Sequence, residues 1–91
     1  MVPSSRPPTF AQARVLLLLI AGESPQEAAT SLGVAISTVR SHIRQLHNAA
    51  GTHSLPALIR WGSHDAGAVP LRAALAHHPR WSRAAAEVLD G

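Results

Sequence analysis

The chain has 91 residues, a formal charge of +3 and no cysteine, and all eight of its Lys/Arg positions are arginine. That length is enough for one domain with a modest core. The lack of cysteine excludes disulfides and Cys-based zinc sites and fits a cytoplasmic protein. The longest aliphatic run, residues 15–21, is too short to span a bilayer, and the Pro/Ser-rich start lacks the apolar segment of a signal peptide.

Residues 1–8 hold three prolines, two serines and one arginine and are expected to form a flexible arm. Thr9-Phe10-Ala11-Gln12 is a capping-box pattern. It starts a first helix running to about residue 21, with Val15, Leu16, Leu19 and Ile20 as core positions and Gly22 as its stop. Ser24-Pro25-Gln26-Glu27 is a second start signal: Ser24 caps, Pro25 suits the first helical position and Glu27 closes the box. Gly33 ends this helix near Leu32. The third helix is expected over about 37–49. Val39, Ile43 and Leu46 fall on its apolar side and Arg40, Ser41 and Arg44 on its polar side. A fourth helix is expected from Ser54 or Leu55 to Trp61, with Pro56 in its first turn. A loop over 62–69 would follow, then a fifth helix from Pro70 to His77 and a sixth from Pro79 to Leu89. No period-two alternation occurs, so the fold class is all-α.

Charge is unevenly spread. No acidic residue occurs between positions 28 and 64, whereas Arg40, Arg44 and Arg60 and four of the histidines fall there. A basic stretch coinciding with a two-helix unit is the footprint of a nucleic-acid binder, although an ordinary solvated face gives the same charge pattern. Arg40 and Arg44 are four apart and share a helix face; arginine suits both guanine edges and phosphates.

Catalysis has little support, and the chain is not expected to be an enzyme. There is no cysteine nucleophile and no Gly-rich phosphate loop. Glu23 and Glu27 are explained by the start of the second helix, and His64-Asp65 has no nucleophile beside it. The histidines lack His-Glu-x-x-His spacing and Cys partners, so neither a metal nor a cofactor is expected. Trp61 and Trp81 are read as core or interface residues rather than as base-stacking ones.

With these motifs in place, residues 8–62 resemble the LuxR-type helix-turn-helix domain, also found in FixJ-like response regulators. Thr9, Val15, Leu16, Gly22, Ser24, Glu27, Ala29, Leu32 and Val34 stand at family positions. The most specific part is Thr38-Val39-Arg40-Ser41-His42, followed by Ile43 and Leu46. The resemblance implies a four-helix domain over 9–62 that binds double-stranded DNA through its third helix and dimerises through its fourth, with one or two C-terminal helices added over 63–91. Carried over by position, Arg40, Ser41 and Arg44 look like base-reading residues. Thr38 and His42 look like backbone contacts, and Ser24 and Gln26 lie near phosphates. For His42, packing under the helix is an equal alternative. Ser37 is taken with the DNA-facing set and as the helix cap in place of the family's serine, here Ala35. Leu55, Leu58, Ile59 and Trp61 are the expected homodimer face.

The chain departs from the pattern at Ala11-Gln12-Ala13-Arg14, where the family carries Arg-Glu-Arg-Glu, at Ala49-Ala50 in place of Lys-Leu, and at Leu55 in place of Arg. The expected function is a stand-alone, sequence-specific transcriptional regulator. The rival is an interaction module that binds RNA polymerase or another regulator, with DNA binding secondary or lost. The apolar stripes of the extension (Leu71 and Leu75; Ala84 and Val88) need burial; a second subunit is the preferred partner, the chain's own core the alternative.

Overall fold

A computed structural model describes residues 7–91. Among these it has no strand and six helices: α1 (Phe10–Ile20), α2 (Pro25–Leu32), α3 (Ile36–Ala50), α4 (Leu55–His64), α5 (Ala68–Leu75) and α6 (Pro79–Asp90). The first six residues of the expected arm lie outside the described residues, and Pro8 is already buried.

The architecture is organised around α1. Thr9 and Gln12 form the expected capping box, each side chain closing on the other's backbone N–H at 3.1 Å. Ala13, Val15, Leu16, Leu17 and Leu19 are all buried, so the helix is covered on nearly every side. An α-helix apolar all round belongs at the centre of a core. Each of the other five helices packs against it.

The helix-turn-helix forms as its start and stop signals require. Ser24 and Glu27 make a reciprocal box at 2.7 and 3.1 Å. Gly33 adopts φ 69° at the end of α2, a left-handed conformation that glycine takes without the Cβ penalty. The Val34 N–H then reaches back to the Ala29 carbonyl, which fixes the turn into α3. That helix begins one residue earlier than expected: Ala35 is its cap residue and makes no side-chain cap bond. Ser37 is therefore inside the first turn and does not cap. The half-buried Ile36 is drawn into the helix instead, where it packs against the core.

Boundaries downstream also differ from the sequence expectation, and α5 stops at Leu75 rather than His77. Gly62 does not end α4, which continues to His64. It is buried against α1, where a Cβ would stand 2.8 Å from Leu16 Cδ2 and 3.2 Å from Ile20 Cδ1. Close helix approach, not a turn, is what this glycine provides. Pro70 lies within the first turn of α5, which starts at Ala68; no intrahelical N–H bond is required there. The turn between the two helices folds under Trp61, leaving a Cβ at Gly67 only 2.5 Å from the indole.

The extension completes the chain's own core. Leu71 and Leu75 are 0% exposed and Ala85 is 4% exposed within the single chain. Helix α5 lies on α1 and α4, and α6 lies on α1 and α5. The preferred expectation, burial of these stripes in a second subunit, is thus replaced by the alternative. Arg72 pairs with Asp90, tying α5 to the end of α6. The hydrogen bond from the Arg72 guanidinium, and then its charge, hold the Asp90 carboxyl below the usual carboxylate range. No helix among the described residues is long and apolar enough to cross a membrane.

Candidate nucleic-acid interface

Helix α3 separates its two faces cleanly. Val39, Ile43 and Leu46 are buried against α1 and α2, which fixes the rotation of the helix about its axis. Ser37, Thr38, Arg40 and Arg44 are exposed on the other side, and Ser41 is half-buried. Neither arginine takes part in an ion pair among the described residues. Two planar, always-charged guanidiniums one helical turn apart thus stand free on a rigid support, as bidentate recognition of base edges or phosphates demands.

The flanking expectations fare differently from one another. Ser24 and Gln26 are exposed at the start of α2. The Ser24 N–H is already donated to Glu27 Oε1, so Ser24 has only its hydroxyl to offer a phosphate. His42 is half-buried, with Nδ1 inside and without a hydrogen-bond partner, so the ring packs partly beneath the helix.

Residues not singled out in the sequence extend the polar face. His47, Asn48, Thr52 and His53 join Arg40 and Arg44 in lining a shallow groove of about 540 Å³ between α3 and the turn into α4. Gly51, at φ 71°, makes that turn. It brings the Thr52 hydroxyl to 2.7 Å from His47 Nδ1. The available signal was the run of histidines in a stretch without acids. At the other edge of α3, Gln12 Nε2 donates to Gln45 Oε1 at 2.7 Å. This neutral bond joins α1 to α3.

The expected dimer residues divide. Leu58 is 0% exposed in its own chain and has no surface to give a partner. Its register on α4 turns it toward α1, the same side as Gly62 one turn on. Leu55 and Ile59 are half-buried, and Trp61, also half-buried, covers the Gly67 turn. No three His, Asp or Glu side chains come together as a metal site among the described residues.

A family model described as bacterial regulatory proteins, luxR family, matches residues 9–62. No curated protein and no solved structure matches the chain significantly. The matched span ends within α4, so α5 and α6 lie beyond it. The match takes in the capping boxes, the Gly33 turn and the whole arginine-bearing α3, and the chain accordingly belongs to the luxR family of bacterial regulatory proteins, as a DNA-binding helix-turn-helix regulator.

Proposed function

We propose that this protein is a sequence-specific transcription regulator that lays α3 in the DNA major groove, with Arg40 and Arg44 reading base edges and Ser41 allowing close approach between them. Thr38, Ser37 and the hydroxyl of Ser24 contact phosphates at the groove edge, with Gln26 beside them and His42 supporting the helix from below. Two copies meet on DNA through the exposed side of α4, and the working compartment is the cytoplasm. The observation that carries this reading is the pair of unneutralised, exposed arginines on a helix whose opposite face is locked into the core.

The test is a duplex selected by the protein from random sequence. Arg40→Ala and Arg44→Ala should each lower affinity for that duplex by about 1–3 kcal/mol, roughly 5- to 150-fold, and relax selection at one position, with the helical circular dichroism unchanged. Wild-type affinity should fall steeply with salt as phosphate-bound counterions are released. Undiminished binding by both variants refutes the assignment. Failure of the wild type to bind any duplex favours the protein-interaction role instead.

A further inference from the structure

The extension presents a second cationic surface. No carboxylate occurs in sequence between Asp65 and Glu87, whereas His77, His78, Arg80 and Arg83 do. All four are exposed. The neighbouring acids are engaged elsewhere: Asp65 stands 3.8 Å from Arg60 and Asp90 pairs with Arg72. Glu87, one turn beyond Arg83, forms no ion pair with it among the described residues. Arg80 and Arg83 are three apart and share a face of α6. That helix opens at His78 without a side-chain cap, which leaves its first N–H groups free beside the cations.

An aromatic cluster fastens this corner to the start of α1. The His78 ring stacks on Phe10 at 3.7 Å, and Trp81 meets Phe10 edge-on at 6.5 Å. The Arg14 guanidinium lies 5.0 Å over Phe10 and 5.8 Å over Trp81, adding a further positive charge. Two residues along α1, Gln12 bonds Gln45, the neighbour of Arg44. The first turn of α1 therefore bridges the recognition helix and the α5–α6 corner. Packed helices lie about 8–10 Å apart, so the start of α6 is at most roughly 16–20 Å from the axis of α3.

We propose that the α5–α6 corner is a second DNA contact, in which Arg80 and Arg83, with His77 beside them, hold the phosphodiester strand flanking the groove occupied by α3. This rests on the DNA-binding reading of α3 and extends the binding surface beyond the family-matched residues. Such contacts add affinity without sequence information.

The test uses the full chain and its Arg80→Gln/Arg83→Gln variant. Two probes are compared: the selected duplex and a random-sequence duplex of roughly 30 base pairs, three helical turns. Two lost phosphate contacts should flatten the slope of log affinity against log salt by about 1.8 and weaken binding about 30-fold at 0.15 M salt. The loss should be the same on both probes, and Arg80→Lys/Arg83→Lys should restore most of it. If Arg80→Gln unfolds the chain through its place beside Trp81, Arg83→Gln alone carries the test, with a slope change of about 0.9. A folded Gln variant that binds both duplexes as the wild type does overturns the inference and leaves the α3 reading intact. The same result with lost binding to purified RNA polymerase assigns the corner to a protein partner. A wild type that binds neither duplex overturns both.

Discussion

Leu71→Ala tests whether the C-terminal helices belong to the same cooperative unit as the helix-turn-helix. Leu71 is 0% exposed, on a helix packed against both α1 and α4. Truncating a leucine so enclosed costs the transfer energy of the lost carbons plus the cavity they leave, about 3–5 kcal/mol. At 0.05–0.15 kcal/mol per residue, a chain of this size has roughly 5–14 kcal/mol in total. The substitution should therefore remove a fifth or more of the stability and lower the thermal midpoint by at least roughly 12 °C. Urea titration followed by far-ultraviolet circular dichroism reads it directly. Val69→Ala, on the same helix but 76% exposed, is the control and should stay within about 0.5 kcal/mol. A Leu71→Ala loss below about 1 kcal/mol, or a separate early transition that leaves the remaining helices melting as in the wild type, refutes the shared core. By the same reasoning, deleting residues from Ala68 onward should unfold the helix-turn-helix, because it strips α1 of one flank. An extension seated on a second subunit would have left that domain intact.

Gly67→Ala should cost about 1–3 kcal/mol, because the new Cβ meets the Trp61 indole at 2.5 Å in an already filled turn; a neutral thermal melt contradicts this. Ser24→Ala, which removes the acceptor for the Glu27 N–H, should cost about 1 kcal/mol in the same assay, and no loss would mean the box contributes nothing. The lowered pKa of Asp90 makes its pairing with Arg72 stabilising above the ordinary carboxylate range of about 4. That stabilisation is lost as pH falls through the lowered value, since the unfolded chain takes up the proton first. Arg72→Gln should flatten this acid limb slightly, and superimposable acid melts of the two proteins would count against the pairing.

The starts of α1 and α2 were legible because each is encoded within four residues. Thr9 with Gln12, and Ser24 with Glu27, form the boxes their spacing implies. The left-handed stop at Gly33 was legible for the same local reason. Gly62 misled because glycine has two uses that sequence does not distinguish: it ends helices, and it lets two helices approach closely. Only the position of Leu16 and Ile20 on a neighbouring helix decides between them. Ser37 misled because a good capping residue was outweighed by burial of Ile36 one position earlier. The arginine face of α3 followed from periodicity. The groove at its far end did not, because His47 and Thr52 are joined only by the Gly51 turn. Leu58 looked like interface by resemblance, yet α4 has two apolar sides, and which one faces α1 is set by tertiary packing.

That last point bears on the proposed pairing of two copies. With Leu58 inside the core and Trp61 folded over Gly67, Leu55 and Ile59 are the half-buried large aliphatics left on α4 for a partner. Fully burying such a side chain is worth about 1.5–3 kcal/mol, and roughly two thirds or more of each is already buried, so four of them across a symmetric contact supply at most roughly 2–4 kcal/mol. Loss of translational and rotational freedom on association costs about 4–15 kcal/mol. The contact on its own therefore falls short of a stable dimer at micromolar concentration. DNA changes the balance, since two copies on adjacent half-sites have already lost that freedom and the α4 contact then acts as an intramolecular one. The expected outcome is a monomer by light scattering in the absence of DNA, and cooperative binding to a duplex with two half-sites about one helical turn apart. Ile59→Glu should abolish the cooperativity and leave single half-site affinity nearly unchanged. A stable dimer in free solution, or cooperativity indifferent to Ile59→Glu, shows that the pairing surface lies elsewhere than α4.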